Sequence, residues 1–547
     1  MCLNTGQWPW KDALVIFLKK GGKKSYSVPG SYRPISISSY IGKLLEKILA
    51  SRLIKFLIMR GYHDPDQEGF TLGRNTIRYL NRLDLQIKSD IIDSKTIIGL
   101  FIDFEKAFDS VWKRGLIVKL QKIGIHGKSL ALIDNFLATR TVQLNINGTN
   151  GEIHECEEYG LPQGSALSPI LFKIYIMDII EDLKEKEEVE LYKFADDGTI
   201  KISSESTNLC TSTLNEVIKS LEQWTRMWRM VINCDRDKTE FICFNKAARE
   251  DVIPNSIIIT GKPVLQVEQT KVLGLIIDSK LTYKQHSQEI YRRLLEKWAK
   301  ICSYCNIHWG FNQRVLRRLI NTVFIPIIQY AGHIWINTKN MEEINKIWYK
   351  LVKSAIGAVF NVKTTICEVI LGIPPISVQT DINRIKHLLK LKMNPNPIDK
   401  YKDFINKCCN GTVSAPREVR TGMKDTFKFL KWKAVQSPSH FSQQDIDIIE
   451  NQDISKCMEL SSKSCYYSKT LIKKYIELIW YERLKNQCHV DGEVLVPKPS
   501  CQNLPIPINT SRQDEVLIMG MMYPQNPMNS FVYKKHIVQN LHFAPAV

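Results

Sequence analysis

The chain has 547 residues, 44% of them hydrophobic, which is enough for several structural units with apolar cores. Its 75 Lys and Arg outnumber 56 Asp and Glu, and the net charge of +19 favours a polyanionic partner, either nucleic acid or an acidic membrane surface. No apolar run approaches the roughly 18 residues of a membrane span, and the fourteen cysteines are scattered rather than arranged as a secreted disulfide framework. We therefore expect an intracellular protein of the nucleus and cytoplasm, and no targeting signal is visible.

The first elements predict a basic hairpin. Residues 13–18 form a short apolar strand, and residues 32–37 can return as its partner. The connecting loop begins with Lys19 and Lys20 and carries four ammonium groups. It is either a solvated surface loop or a clamp for phosphate, and the residues alone leave both interpretations open.

A helix is predicted next, from Tyr40 to Tyr62. Apolar residues at helical spacing indicate one buried face, and Lys and Glu lie opposite. The predicted apolar face consists of Ile41, Leu44, Leu45, Ile48, Leu49, Leu53, Phe56 and Leu57. A loop follows in which Arg74 could reach a phosphate.

A carboxylate follows a strand of the buried type. Residues 97–102 are a nearly continuous apolar run, as in the middle of a sheet, and Asp103 comes directly after them. A helix is predicted from Ser110 to Lys122. A carboxylate at the point where a buried strand meets solvent is well placed for catalysis.

Two further carboxylates lie in a predicted β-hairpin. Residues 189–194 alternate with a period of two, and the turn residues Asp197 and Gly198 lead into a second short strand. Asp196 and Asp197 would then lie at the tip, although an ordinary Asp-Gly turn has the same pattern. If the hairpin lies beside Asp103, three carboxylates converge and can hold two Mg²⁺ ions.

Residues 160–169 predict a tight loop that enters an apolar helix from Ile170 to Ile180. The loop contains two glycines and two prolines, and at the glycines another molecule's backbone or base can approach closely.

The blocks then form an ordered set: SYRPIS, QEGFTLGRNT, FIDFEKAFDSV, GLPQGSALSPILF, FADD, a lysine near position 238 and VLGLIIDSKL. This set resembles the reverse transcriptases, and more narrowly those of non-long-terminal-repeat (non-LTR) retrotransposons of the jockey-like lineages. The resemblance spans roughly residues 12–390. It implies an α+β fold, a right-hand polymerase with a ferredoxin-like palm, mixed fingers and a helical thumb.

The resemblance also implies the chemistry. The expected activity is RNA-directed DNA synthesis from deoxynucleoside triphosphates (dNTPs), with two Mg²⁺ ions, or Mn²⁺ in their place, as the cofactor. The expected partners are an RNA template, a DNA primer and their RNA–DNA hybrid, with no membrane. Two alternatives are a copy that only binds RNA, against which the three intact aspartates argue, and a polymerase that makes RNA.

Site residues follow by position in the matching blocks. Asp103, Asp196 and Asp197 fall where the family binds metal, with the backbone carbonyl of Phe104 assisting, and Lys238 would protonate the departing pyrophosphate. The other residues implied to contact the nucleotide are Lys19, Lys20, Arg33, Arg74, Phe108, Gln163 and Gly164. Among these, the ring of Phe108 would lie under the incoming sugar and exclude a ribose 2′-hydroxyl.

Some positions depart from the family pattern. Thr71 stands where an arginine is usual, and Arg74 could compensate. The spacing from Asn233 to Lys238 is two residues longer than usual, which puts the lysine's role in question. Asp109 fits a helix cap or a salt-bridge partner better than a metal ligand.

The predicted domains are fingers and palm over residues 1–280, a helical thumb over 281–393, and a region of unknown role over 394–547. Within the thumb, Cys302, Cys305 and His308 match a zinc spacing, but one face of a helix gives the same spacing and core cysteines are favoured. We find neither the acidic motifs of a ribonuclease H nor an upstream endonuclease, so we expect a truncated element or a fragment of a longer reading frame.

Overall fold

The computed structural model of the protein divides into two units, Met1–Leu273 and Gly274–Val547, and each is described by itself. The structure describes residues 8–21, 25–62, 64–138, 140–156, 158–244, 253–304, 310–356, 362–393, 417–450, 468–487, 489–490 and 493–494.

The first unit mixes strands and helices. Its strands are β1 (Ala13–Lys19), β2 (Tyr32–Ile37), β3 (Thr96–Ile102), β4 (Arg140–Ile146), β5 (Thr149–Cys156), β6 (Val189–Phe194), β7 (Asp197–Ser204), β8 (Glu240–Phe244), β9 (Ser256–Ile259), β10 (Lys262–Leu265) and β11 (Gln269–Val272). Its helices are α1 (Tyr40–Met59), α2 (Thr76–Ile92), α3 (Lys113–Lys122), α4 (Gly127–Leu137), α5 (Ser168–Tyr175) and α6 (Thr207–Trp228).

A four-stranded antiparallel sheet with the order β6-β7-β3-β8 lies at the centre of this unit. If its strands are numbered one to four along the chain, this order is 2-3-1-4, the order of a ferredoxin-like sheet. Helices of the two crossover connections, α5 and α6, share one hydrophobic core with strand β3. The predicted α+β class and the ferredoxin-like palm are thereby confirmed.

Helices cover both faces of this sheet. On one face, Ile98 and Ile200 belong to the core that contains the apolar side chains of α5 and α6. On the other face, Tyr79 of α2 donates a hydrogen bond to Thr199 Oγ1 at 2.6 Å and packs edge-on against Tyr192. Because successive strand residues point to opposite faces, α2 lies opposite α5 and α6. This explains why β3 is buried along its whole length and reads as an unbroken apolar run.

A second sheet has the order β2-β1-β4-β5. Strand β1 pairs with β2 antiparallel, with Leu18 opposite Arg33, and it pairs with β4 in parallel. The predicted hairpin of residues 13–18 and 32–37 is confirmed. Two of the four lysines of its loop, Lys23 and Lys24, lie outside the described residues.

The predicted face of α1 is wrong in part. Ile41 and Leu44 are 62% and 61% exposed, and Ile48 is exposed as well. The buried residues of the helix are Gly42, Glu46, Leu49, Ala50, Leu53 and Leu57. The helix is rotated from its expected orientation because Gly42 lies against Trp10, where an added Cβ would be only 3.2 Å from Trp10 Cβ.

The bounds of two further helices also differ from the prediction. Helix α3 begins at Lys113 rather than at Ser110, since the preceding residues form turns. Helix α5 begins at Ser168 with Pro169 in its first turn, and it ends at Tyr175 rather than at Ile180. Proline is well suited to that first turn, where its missing N–H is not needed.

The second unit is mainly helical. Its helices are α7 (Lys284–Cys302), α8 (Gln313–Leu319), α9 (Ile325–Gln329), α10 (Gly332–Trp335), α11 (Thr338–Ile356), α12 (Thr364–Leu371), α13 (Ile376–Met393), α14 (Arg417–Gln436), α15 (Gln443–Glu450) and α16 (Lys469–Gln487), with a π-helical turn at Ile320–Phe324. Its strands are β12 (Leu275–Asp278), β13 (His489–Val490) and β14 (Glu493–Val494). The predicted helical character of residues 281–393 is confirmed, whereas the domain boundaries stay a prediction.

Two other expectations concern this unit. Cys302 is exposed, so the interpretation as a core cysteine is wrong for this residue; Cys305 and His308 lie outside the described residues. In the described part of the chain, no helix is both long and apolar enough to cross a membrane.

Candidate active site

The hairpin of β6 and β7 turns two residues earlier than predicted. Phe194 pairs with Asp197, so the two turn residues are Ala195 and Asp196, and Asp197 opens β7. The predicted turn at Asp197 and Gly198 is therefore wrong, because Gly198 already pairs within the sheet, opposite Lys193 and Ile102. Both aspartates still lie at the tip, as predicted.

The sheet register brings Asp103 to the same end of the palm. Ile102 pairs with Gly198, so Asp103 follows β3 where Asp197 begins β7. Partial burial and the negative charge of Asp103 raise the pKa of Asp196. Asp197 stays accessible at the surface, but the protein around its carboxylate displaces water; together with the charges of Asp196 and Asp103, this raises its pKa to about 7. The charge of Asp103 thus reaches both hairpin aspartates, and the three carboxylates form a single acidic site.

Asp103 is held by neighbours on the segment before β8. Its backbone N–H donates to Thr239 Oγ1 at 3.2 Å, and Asn233 Nδ2 donates to its Oδ2 at 3.3 Å. The ammonium group of Lys238 lies 3.0 Å from the same Oδ2 and is 45% exposed. In this structure Lys238 pairs with Asp103, and its role as a proton donor stays a prediction.

The donor set fits a hard divalent cation. Carboxylate oxygens are the ligands that Mg²⁺ prefers. Burial, and after it the repulsion between neighbouring carboxylates, raises the pKa values of Asp196 and Asp197, and a bound cation would favour their charged forms. In the described part of the chain, no three His, Cys, Asp or Glu side chains are already arranged as a metal cage. The fit therefore rests on the chemistry of the three donors.

Phe104 lies beside this acidic site with its side chain buried. It forms an isolated antiparallel bridge with Ile232. The two hydrogen bonds of that bridge flank Phe104: Asn233 N donates to Asp103 O at 2.8 Å, and Glu105 N donates to Val231 O at 2.9 Å. The proposed use of the Phe104 carbonyl as a metal ligand stays a prediction.

Phe108 sits between two other rings. It stacks on Phe172 with centroids 4.7 Å apart and an interplanar angle of 16°. Phe70 meets it edge-on at 6.3 Å. These neighbours fix the orientation of the Phe108 ring, which is half-buried.

Gln163 and Gly164 lie against strand β2. Ser36 N donates to Gln163 O at 2.7 Å, and Gln163 Nε2 donates to Asp109 Oδ1 at 3.1 Å. Gly164 has φ +114°, and an added Cβ would lie 2.7 Å from Ser36 O. The close approach expected at this glycine is thus made by the chain's own strand. Asp109 is a side-chain hydrogen-bond acceptor, not a helix cap.

Among the basic residues of the β1–β2 hairpin, Arg33 acts electrostatically on the acidic site. Arg33 is exposed, and its positive charge lowers the pKa of Asp196 against the larger effect of burial. Lys19 lies over the ring of Tyr26 at 5.1 Å, and Lys20 Nζ donates to Gly30 O at 3.0 Å. Their contacts with a nucleotide stay predictions.

Arg74 braces its own loop. Its Nη1 atom donates to the backbone oxygens of Asp64, Pro65 and Gln67 at 3.2, 2.8 and 2.8 Å. These hydrogen bonds give Arg74 a structural role that needs no nucleotide, and the predicted phosphate contact stays a prediction.

A cavity of about 380 Å³ adjoins the predicted nucleotide residues. Phe108, Gln163 and Gly164 line it together with Lys43 and Lys47 of α1. The two lysines, like Asn233 and Thr239 around Asp103, received no role from the sequence. The only sequence signal for Lys43 and Lys47 was their position on α1, a helix whose buried face was predicted wrongly.

The residues that form this site lie within a segment that matches a known protein family. Residues 18–277 match the profile of the family described as "Reverse transcriptase (RNA-dependent DNA polymerase)". These residues belong to the reverse transcriptase family. The right-hand polymerase fold expected from the sequence is thereby confirmed, and reverse transcriptases as a family use divalent metal ions.

Three similar proteins come from Drosophila melanogaster. The probable RNA-directed DNA polymerase from transposon BS is 29% identical over 60% of this chain and 36% of its own length. The RNA-directed DNA polymerase from mobile element jockey is 26% identical over 72% of this chain and 43% of its own length. The probable RNA-directed DNA polymerase from transposon X-element is 28% identical over 65% of this chain and 39% of its own length. The similarity to these three polymerases agrees with the resemblance to jockey-like, non-LTR elements that the sequence motifs show. The matched part of the chain spans less than half the length of each of these relatives.

Proposed function

We propose that the chain is an RNA-directed DNA polymerase of a non-LTR retrotransposon. It extends a primer 3′-hydroxyl with dNTPs along an RNA template. The observation that carries the proposal is the convergence of Asp103, Asp196 and Asp197 at one end of the palm sheet, where burial and the neighbouring carboxylates raise the pKa values of Asp196 and Asp197.

The proposed cofactor is a pair of Mg²⁺ ions, with Mn²⁺ as a substitute, held by Asp103, Asp196, Asp197 and the Phe104 carbonyl. When bound, such ions lower the pKa of the primer hydroxyl and stabilise charge on the transferring phosphoryl group. The chain's own part is to hold the three anionic donors together, which the antiparallel register of β3 and β7 does.

The remaining residues are assigned to the two substrates. Arg33, Lys19 and Lys20 would bind the triphosphate, and Phe108 and Gln163 would seat its sugar and base. The primer 3′-hydroxyl loses its proton to solvent as its oxygen forms a bond to the α-phosphorus, and the bond from that phosphorus to pyrophosphate breaks. Lys238, at present paired with Asp103, is the proposed donor of a proton to the pyrophosphate.

The proposed substrates place the protein in the nucleus and cytoplasm. Scattered cysteines without a secreted disulfide framework are typical of a reducing compartment.

The test is primer extension on a homopolymer RNA template, with and without Mg²⁺, using wild type and Asp196→Asn. Removing one anion weakens the metal site and leaves the basic residues intact. We expect a loss of at least about a hundredfold in rate, since several kcal/mol of charge stabilisation are lost. Affinity for the RNA should stay within about twofold of wild type.

Asp235→Asn serves as the matched control, because Asp235 is an exposed acid of the segment that carries Asn233 and Lys238. It should keep the wild-type rate. Extension by Asp196→Asn at more than about a tenth of the wild-type rate would contradict the metal assignment. A wild-type protein that binds RNA but never extends the primer would favour the RNA-binding alternative.

A further inference from the structure

Gln67 connects the loop after α1 to the hairpin that carries Asp196 and Asp197. The glutamine is 1% exposed. Its Oε1 atom accepts hydrogen bonds from Ala195 N at 2.9 Å and from Gly69 N at 2.8 Å, and its Nε2 atom donates to Ala195 O at 3.4 Å. One carboxamide therefore holds both backbone polar groups of the residue that immediately precedes Asp196.

Ala195 has a backbone conformation that needs support. Its φ of 56° lies in the left-handed region, which is unfavourable for a residue with a Cβ. Glycine is the usual residue with positive φ at the first central position of a two-residue hairpin turn. The alanine stays in this conformation because Gln67 fixes its N–H and its carbonyl at once.

The loop that carries Gln67 is itself anchored to β6. Glu68 N donates to Lys193 O at 2.8 Å, and Lys193 N donates to Asp66 O at 2.9 Å, so the loop runs beside the strand edge. The side chains of Lys193 and Asp64 form an ion pair at 2.7 Å, and each is only 3% exposed. The loop that carries Gln67 is thus held in place against β6.

Gly69 brings the loop into direct contact with the turn. An added Cβ at this position would lie 2.3 Å from Ala195 N and 3.0 Å from the carbonyl carbon of Phe194. No side chain fits there, so the glycine is required for Gln67 to reach Ala195.

We propose that Gln67 is a positioning residue for polymerisation: by fixing Ala195 it orients the carboxylates of Asp196 and Asp197. The proposal rests on the proposed function, because it assigns the purpose of the orientation to that reaction. Gln67 itself would touch neither substrate nor metal, because it acts through the backbone of Ala195.

The experiment compares wild type with Gln67→Met, which keeps the length of the side chain but leaves two buried N–H groups without an acceptor. We expect kcat for primer extension to fall by about tenfold or more, with the KM for dNTP within about threefold, because the nucleotide-binding residues are untouched. Binding of Mn²⁺ to the protein without nucleotide, followed by electron paramagnetic resonance, should weaken by about fivefold or more.

Two further variants separate positioning from stability. Gly69→Ala pushes on the turn from the same side while keeping the carboxamide, and it should lower kcat and Mn²⁺ affinity in the same direction. Thr71→Val removes the hydrogen bonds of Thr71 Oγ1 to Gln67 O (3.0 Å) and Gly69 O (3.1 Å), so it loosens the same loop without touching Ala195. It should reduce thermal stability but keep both readouts near wild type.

Gln67→Glu serves if Gln67→Met does not fold, since a carboxylate still accepts both N–H groups and loses only the long bond to Ala195 O. It should retain more activity than either Gln67→Met or Gly69→Ala. The proposal is overturned if the position-67 and position-69 variants match Thr71→Val in kcat and Mn²⁺ affinity. If wild type fails to extend a primer, the proposed function fails, while the Mn²⁺ measurement still decides whether Gln67 orients the carboxylates.

Discussion

At the scale of single residues, the proposed role of Phe108 in sugar selectivity depends on how its ring is packed. Phe172 stacks beneath its ring and Phe70 meets its edge, so the ring cannot swing away from an incoming nucleotide. A ribose 2′-hydroxyl placed against such a ring loses its hydrogen bonds to water, which costs about 1–3 kcal/mol before any steric clash.

Phe108→Val should therefore admit ribonucleotides. We expect the ratio of kcat/KM for deoxynucleotide over ribonucleotide to fall by about tenfold or more, with deoxynucleotide use reduced less than the ratio. Phe172→Leu should lower the ratio by less than Phe108→Val does, because it loosens the support of the Phe108 ring but keeps the ring itself. An unchanged ratio in Phe108→Val would mean that the ring only packs the core.

Arg33 carries the sharpest prediction for the nucleotide phosphates. It projects from β2 into solvent, and its charge acts on Asp196. A guanidinium pairs with a phosphate through two parallel hydrogen bonds, which a lysine cannot do. Arg33→Ala should raise the KM for dNTPs by about tenfold, and Arg33→Lys should recover only part of this loss. If RNA affinity falls instead while the KM stays constant, Arg33 belongs to the template path.

At the scale of elements, sequence periodicity predicted which strands and helices form better than it predicted which face of a helix is buried. The two-residue period of β6 and the apolar run of β3 identified both strands, and the order of the motif blocks placed their carboxylates together. In α1 the apolar positions fit a helix, but the buried side differs from the predicted one, since Gly42 lies against Trp10 and Glu46 is buried as well. Its Oε2 atom accepts from Ala166 N at 2.7 Å, a contact with a distant loop that no local pattern contains.

The turn at Ala195 was missed for a similar reason. Asp197 and Gly198 have strong turn propensity, whereas alanine rarely adopts a positive φ. Tertiary contacts from Gln67 reverse that preference. Residues that act through another residue's backbone leave no such local pattern, which is why Gln67 received no role from the sequence although its block was identified.

A buried cation joins three elements beneath the palm. Lys119 of α3 lies 3.8 Å from the ring centroid of Trp228 and 5.0 Å from those of Trp224 and Tyr175. It also pairs with Asp178, which accepts a hydrogen bond from Trp224. Burial lowers the pKa of Lys119 to about 8, against the opposing effect of Asp178.

This shift predicts a pH dependence of stability. The folded pKa of about 8 lies below the ordinary lysine value of 10.5, so between these pH values the unfolded chain binds more protons than the folded one. Stability should therefore rise with pH across that window, by at most roughly 3 kcal/mol. The measurement is the urea midpoint of wild type relative to Lys119→Met, because titration of all other groups cancels in the difference. A difference that does not change with pH would mean that the three rings hold the ammonium form as strongly as burial disfavours it.

At the scale of the whole molecule, the net charge of +19 bears on affinity rather than on fold. Each ammonium or guanidinium group that neutralises a phosphate of single-stranded RNA releases counterions, so the logarithm of affinity falls with the logarithm of salt by about 0.7 per contact. The charge alone does not locate these contacts. The cavity lined by Lys43 and Lys47 suggests one location, next to Phe108 and Gln163.

The final prediction combines charge and location. Replacing Lys43 and Lys47 together by alanine should reduce the salt slope for single-stranded RNA by about 1.4, the value for two lost phosphate contacts. Fluorescence anisotropy of a labelled RNA, measured over a series of salt concentrations, gives the slope. Lys55→Ala is the matched control, because Lys55 is an exposed lysine of the same helix that does not line the cavity. Equal slopes for the double variant and wild type would place the RNA elsewhere, since a lysine that touches no phosphate releases no counterion when RNA binds.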